Sequence, residues 1–264
     1  MLLAVDIGNS LIKFGLFDGA KLLDKTSSPT TPTEIDLDRF KKSQIHIVAV
    51  ASVVPELTDV VRKTSQTALG VTPAFIDHST DFGLKINYDP PESVGIDRLI
   101  NASHAANKYG TPVIVCSFGT ATVIDVVSQN REFLGGIIAP GVKTMSEALR
   151  QTTALLPPVE IEEPHSLIGN STEAAISSGI VNGHVAMAEG LIERIIGTRT
   201  PPSAMSATHE TSSAASGVAD GGVRVPKVIA TGGFANLIAS KIEAVDEIDE
   251  NLTLHGLRML AERL

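Results

Sequence analysis

Leu2-Leu3-Ala4-Val5-Asp6-Ile7-Gly8-Asn9-Ser10, continued by Leu11-Ile12-Lys13-Phe14-Gly15-Leu16-Phe17, reads as a buried strand, a turn and a second strand. The pattern returns as Val113-Ile114-Val115-Cys116-Ser117-Phe118-Gly119-Thr120-Ala121, continued by Thr122-Val123-Ile124-Asp125-Val126-Val127. Each copy leads through a turn into a third strand, Asp18-Gly19 before Lys21-Leu22-Leu23 and Gln129-Asn130 before Glu132-Phe133-Leu134. Glycine lets the backbone come close to a ligand, so a turn of Gly-Asn-Ser or Gly-Thr-Ala can offer N–H groups and hydroxyls to a phosphate. Two such turns facing each other would grip one polyphosphate from both sides.

The 264 residues suffice for two modest domains, and 43% apolar residues allow a sizeable core. A formal net charge of −9 argues against a nucleic-acid partner, which needs a basic patch to displace counterions. The single cysteine, Cys116, excludes an internal disulfide and fits a reducing cytosol; inside an apolar strand it reads as a small buried hydrophobe rather than a reactive thiol. No basic region precedes the first apolar run, Asp6 interrupts that run early, and no stretch reaches the roughly 18 apolar residues of a membrane span. A cytoplasmic protein without a membrane partner is expected.

Between and beyond the hairpins the pattern alternates. Thr33 to Lys42 reads as a short capped helix, Ile45 to Ala51 as a strand, Pro55 to Leu69 as a helix with proline near its first turn, and Val71 to Ile76 as a strand. Asp81 to Ser93, with Pro90-Pro91, reads as a connector, and a helix follows from about Ser93 to Tyr109. Past the second hairpin, Gly141 to Gln151 and Thr172 to Ile196 have helical period. Val228-Ile229-Ala230 is a strand leading into Thr231-Gly232-Gly233 and a helix through Ser240. Strands alternating with helices imply an α/β layered fold, with one unit over residues 1–112 and another over 113–264. The segment from Thr198 to Val225 is rich in Ser, Ala, Thr, Gly and Pro, cannot offset its ordering entropy, and is expected to be a mobile loop. His209-Glu210 within it do not make a metal site.

The turns contain no Gly-x-x-x-x-Gly-Lys-[Ser/Thr], and no Gly-x-Gly-x-x-Gly follows a strand. What remains is Asp6-Ile7-Gly8-Asn9-Ser10, Gly95-Ile96-Asp97-Arg98, Gly119-Thr120-Ala121-Thr122 with Asp125, and Thr231-Gly232-Gly233. In this order and spacing the four motifs resemble those of type III pantothenate kinases. That family belongs to the superfamily of acetate and sugar kinases, heat-shock chaperones and actin, built from two ribonuclease H-like domains around a nucleotide cleft. The resemblance covers the chain apart from the 198–225 loop. It implies ATP-dependent phosphorylation of the primary hydroxyl of pantothenate, the entry step to coenzyme A, with ATP, Mg²⁺ and a monovalent cation (K⁺ or NH₄⁺) as cofactors, in a homodimer.

The resemblance assigns roles residue by residue. Asp97 is the catalytic base; its bland alternative is an acidic residue favoured by the dipole of a helix start. Tyr88, Gly95, Ile96 and Arg98 join it around pantothenate, and Thr172 reaches in from the partner subunit, where a helix N-cap region is the alternative. Asp6, beside a phosphate-binding turn, is placed to hold hydrated Mg²⁺, although a carboxylate there could also cap a turn. Gly8, Asn9, Ser10, Gly119, Thr120, Ala121 and Thr122 face the phosphates, Lys13 meets a phosphate or stays an exposed strand lysine, and Gly232 and Gly233 carry the adenosine end. The family pattern at the second turn reads Asp-x-Gly-Thr-Ala, and here the aspartate, a ligand of the monovalent cation, is Ser117. Serine coordinates through its hydroxyl without bringing charge. The competing reading is a catalytically weak relative of the Bvg accessory factor type that acts by binding; retained Asp6 and Asp97 favour the enzyme.

Overall fold

The computed structural model describes residues 1–31, 35–153, 156–197 and 224–264. The first hairpin motif becomes β1 (Leu2–Ile7), β2 (Leu11–Asp18) and β3 (Lys21–Pro29), an antiparallel meander with Leu2 opposite Phe17 and Asp6 opposite Lys13. β4 (Ile47–Ser52) runs parallel to β1 in register Leu2↔Ile47, α1 (Leu57–Leu69) follows, and β5 (Ala74–Phe75) closes the order β3-β2-β1-β4-β5.

The second motif repeats this arrangement. β6 (Lys85–Ile86) and α2 (Ile96–Lys108) lead to the meander of β7 (Val113–Phe118), β8 (Ala121–Val127) and β9 (Glu132–Pro140). After α3 (Val142–Thr152) and α4 (Thr172–Gly197) come β10 (Lys227–Thr231), parallel to β7, then α5 (Ala235–Ala239), β11 (Glu247–Ile248) and α6 (Leu252–Ala261). The sheet order is β11-β10-β7-β8-β9-β6, which is the first sheet's order with β6 added at the far edge.

Apart from Asp6 and Ser117, both central strands are apolar, because both of their faces are covered. Leu2 and Ala4 of β1, with Val113 and Val115 of β7, face a shared central layer built from α2 and α6. Leu3, Val5 and Ile7 turn the other way, against Leu57 and Val61 of α1; Ile114, Cys116 and Phe118 turn against Ile180, Val181 and Ile192 of α4. The period-2 alternation of strand side chains assigns each residue to its layer. α6, last in sequence, packs on β1, β2 and β4 of the first sheet, while α2 packs on β7 and β8 of the second.

Several expected elements differ. In place of a helix from Thr33 to Lys42, the described part of that stretch holds one 3-10 turn, Asp38–Phe40. The strand expected over Val71 to Ile76 is two residues long, because Pro73 has no N–H to give the ladder. The Asp81 to Ser93 connector contains β6, paired with β9 through Lys85↔Glu132, and a 3-10 turn at Pro91–Ser93. The expected mobile loop falls, except for its last two residues, outside the described residues, as do His209 and Glu210. The helix α6, buried between the two sheets, has no counterpart among the sequence expectations.

Candidate active site

The two hairpin turns meet. Ser10 Oγ and Thr120 Oγ1 share a hydrogen bond of 2.8 Å. Each turn is closed from within, by Gly8 N–H donating to Leu11 O and Gly119 N–H donating to Ala121 O, both at 3.0 Å. Each is also tied down by the residues that follow its own third strand. Thr30 donates from its hydroxyl to Gly8 O at 2.7 Å and from its N–H to Ser10 O at 3.0 Å. In the second copy Gly141 N–H and Thr144 Oγ1 both donate to Thr120 O, at 3.0 and 2.6 Å. Asn9, Ser10 and Thr120 are exposed, with Ala121 half-buried beside them.

Behind the first turn lies Asp6, opposite Lys13 across the β1–β2 ladder. Burial pushes its carboxyl up to about 6; Lys13 opposes that rise and Asp97 adds to it. Asp97 opens α2. Its carboxyl is also raised, chiefly by burial, against the pull of the Arg98 N–H and charge and of Lys13. The carboxylates of Asp6 and Asp97 and the ammonium of Lys13 thus sense one another. Gly95 makes this possible: a Cβ there would stand 2.6 Å from Asp97 Oδ1, so any other residue would displace the carboxylate.

Arg98 turns the opposite way from its neighbour. Its Nε and Nη2 donate to Asp125, at 3.1 and 2.6 Å to Oδ1 and 3.2 Å from Nε to Oδ2, and both side chains are buried. The guanidinium lies 5.6 Å from the ring centroids of both Tyr88 and Phe133. Tyr88 itself is half-buried against Phe133. The result is an aromatic-walled arginine whose fork is fixed by a bidentate ion pair, a geometry suited to planar recognition of a carboxylate or amide.

A cleft of about 380 Å³ lies between β2, β3 and the segment after β10 and shares Lys13 with this constellation; its walls also include Lys25, Gly232, Gly233, Asn236 and Glu250. Gly232, with φ at +101°, lies so close to β7 that a Cβ would meet Phe118 O at 2.4 Å. Across the cleft Lys25 donates to Glu250 at 2.9 Å and to Asn251 at 3.3 Å, while Asn236 donates to Glu250 at 2.6 Å.

Some sequence candidates sit apart from this constellation. The Ile96 side chain is part of the central core, leaving only its backbone near Asp97. Thr122 is buried, and its hydroxyl shares a 2.8 Å hydrogen bond with His184 Nε2 of α4 rather than facing the turn's exposed side. Ser117 is half-buried near the end of β7, beside Thr231 in the parallel register. Thr172 is exposed at the start of α4 and lines a different, apolar cavity of about 460 Å³ with Leu149, Ala175 and Ile176. Conversely, sequence reasoning did not single out Thr30, Thr144, Phe133, His184 or the Lys25–Glu250–Asn236 group as site residues. Thr30 and Thr144 carried a usable signal, since both follow the third strand of a hairpin copy.

The sequence profile of type III pantothenate kinase matches residues 2–194. A type III pantothenate kinase of Finegoldia magna is 36% identical, over 98% of this chain and 96% of that protein, and one of Myxococcus xanthus is 37% identical, over 100% and 98%. Among solved structures, a Campylobacter jejuni protein described as a Baf family transcriptional activator superposes with TM-score 0.58 at 18% identity, covering 99% of this chain and 98% of that one. A ROK family glucokinase from Streptomyces griseus, solved with glucose and AMPPNP, gives 0.50 at 11%, covering 100% and 99%. At these identities the structures speak for the fold alone, and they bear out two ribonuclease H-like units. The match in sequence, sustained over nearly the whole chain, places this protein in the type III pantothenate kinase family.

Proposed function

We infer that the chain transfers the γ-phosphate of ATP to the primary hydroxyl of pantothenate, yielding phosphopantothenate and ADP, the first step of coenzyme A synthesis. The observation that carries this reading is Asp97: a carboxylate kept basic by burial, at a helix start, in electrostatic reach of Asp6 and Lys13 beside the joined turns. The substrate hydroxyl oxygen attacks the γ-phosphorus, the bond to the β–γ bridging oxygen breaks, and the hydroxyl proton passes to Asp97. Most of the rate comes from positioning and charge neutralisation. Gly8 to Ser10 and Gly119 to Ala121 hold the phosphates with Lys13, Thr122 braces the second turn, and Gly232 and Gly233 lie against the nucleoside. Tyr88, Arg98 and the backbone of Gly95 and Ile96 hold pantothenate.

Asp6 fits a divalent cation, since burial and the charge of Asp97 both raise its carboxyl while Lys13 opposes them, and a bound cation would relieve that repulsion. Among the described residues no cluster of three or more His, Cys, Asp or Glu suits a metal. Mg²⁺ would therefore be held by Asp6 with water and phosphate oxygens, supplying neutralisation of the charge on the transferred phosphate. Ser117 occupies on the second hairpin the place of Asp6 on the first, two residues before the glycine, and is assigned to the monovalent cation. Activity titrated with K⁺ at fixed Mg²⁺ should show weak dependence, sharpened by Ser117→Asp; identical responses would remove position 117 from the cation site.

We take the units as 1–112 and 113–264, although β6 joins the second sheet and α6 packs on the first, and on this reading the phosphates would bind between the two. Thr172 is assigned to the pantothenate site of a partner subunit: small residues Ala175 and Gly179 beside it let a second copy pack closely on α4. A monomeric mass by light scattering would contradict this. No helix among the described residues is long and apolar enough to cross a membrane. The deciding experiment is ADP release coupled to pantothenate, run with several cations; folded protein without activity above background would favour the binding-only, accessory-factor reading.

A further inference from the structure

Lys143 belongs to none of the four motifs, yet its backbone is anchored to the second phosphate turn. Two residues before it, Gly141 N–H donates to Thr120 O, and one residue after it the Thr144 hydroxyl donates to the same carbonyl. Its side chain extends in the other direction. Nζ lies 5.9 Å from the ring centroid of Phe234, the residue that follows Gly232 and Gly233 and whose N–H donates to Phe118 O at 3.0 Å. Lys143 therefore spans from the turn that meets Ser10 to the turn that walls the cleft. The phosphate chain of a nucleotide must cover the same interval when its terminal phosphate is at Ser10 and Thr120 and its nucleoside lies at Gly232. Lys13, from the first sheet, lines that cleft, while Lys143 comes from the helix that follows the second meander.

The charge balance fits the same conclusion. With a net charge of −9, the chain as a whole repels a polyphosphate, so local cations must overcome that field. Among the described residues no carboxylate lies within ion-pairing distance of Lys143, whose ammonium is exposed over an aromatic face. A cation–π contact at an exposed site is weak, so the ammonium can turn to a phosphate oxygen at little cost. We propose that Lys143 binds the non-transferred phosphates of the nucleotide, forming with Lys13 a two-lysine clamp to which each hairpin unit contributes one lysine. The proposal rests on the nucleotide reading of that cleft.

The test is calorimetric titration of Mg²⁺ with ADP, and separately of adenosine, into wild type, Lys143→Gln and Lys143→Arg. Loss of one charge-assisted contact should weaken ADP binding about tenfold in Lys143→Gln and leave adenosine binding within about twofold, with most of the ADP affinity returning in Lys143→Arg. Unchanged ADP affinity in Lys143→Gln, with wild type binding ADP normally, overturns the proposal alone. Equal losses for ADP and adenosine also overturn it, because a phosphate contact cannot be felt by a ligand that has no phosphate. Wild type that binds no ADP overturns the nucleotide reading together with the proposal.

Discussion

Ser10 Oγ and Thr120 Oγ1, 110 positions apart in sequence, meet at 2.8 Å and join the two copies of the hairpin at their turns. Each hydroxyl belongs to a turn pinned to the end of its own meander, so the contact is between two rigid edges. A phosphate oxygen entering here exchanges one neutral hydrogen bond for two directed at a charged group, which are stronger.

Replacing either hydroxyl should therefore act on nucleotide affinity rather than on the fold. Thr120→Val and Ser10→Ala are each expected to raise the KM for ATP about tenfold, the scale of one hydrogen bond to a charged group. Both residues are exposed, so thermal melting should move little. Initial-rate kinetics check this; an unchanged KM in both variants would remove the turns from the phosphate site.

Asp97→Asn keeps the size of the side chain and removes its proton-accepting capacity. The expected loss in kcat is roughly 10² to 10⁴, with a much smaller change in the KM for pantothenate. Because burial raises the Asp97 carboxyl above its ordinary 3.8, the base is protonated and activity lost as pH falls through a value higher than that. The acid limb of kcat/KM should lie above the usual aspartate range, shaped jointly with Asp6. A limb at or below 3.8 would place the base elsewhere.

Asp125 tests the frame around pantothenate. Asp125→Ala leaves the Arg98 guanidinium buried between Tyr88 and Phe133 without its carboxylate, an uncompensated charge worth about 3–5 kcal/mol of destabilisation. Urea unfolding measures this, and the KM for pantothenate should rise in parallel as Arg98 loses its orientation. A loss below about 1 kcal/mol would mean that solvent or another group takes over the pairing.

His104 sets an acid limit on stability. It is buried on α2, stacked on His255 of α6 with ring centroids 5.9 Å apart, and neither ring nitrogen has a hydrogen-bond partner among the described residues. Burial lowers its pKa to about 4, with His255, Lys108 and Arg258 acting the same way and Asp249 against. The folded state prefers the neutral ring, so this contribution is intact above 6.5 and is lost as pH falls from there toward about 4. The drop corresponds to about 3 kcal/mol. Unfolding free energies of wild type should fall across that window, and His104→Leu should flatten the slope; parallel slopes would assign the acid sensitivity to other groups.

Much of the fold could be read from the chain because hairpins are local. Period-2 apolar runs, turn residues at Gly8 and Gly119, and a third strand after each turn describe both meanders without reference to anything distant. The short edge strands β6 and β11 escaped, since two paired residues leave no periodic signal. The site was legible to the extent that its chemistry sits on those turns and on the Gly95-to-Arg98 helix start.

By itself the sequence determined the duplicated hairpins, the two phosphate-type turns, and the acidic residues beside them, because each follows from side-chain types at fixed local spacings; that the turns meet was decided by the tertiary structure. Only the tertiary structure decided that Arg98 faces Asp125, that Thr122 turns inward to His184, that Ile96 belongs to the core, and that α6 crosses back to the first sheet. The reason is physical. A buried polar group must find its partner wherever packing brings one, and that choice is made by segments far apart in sequence that meet only once both sheets have closed on the central helices.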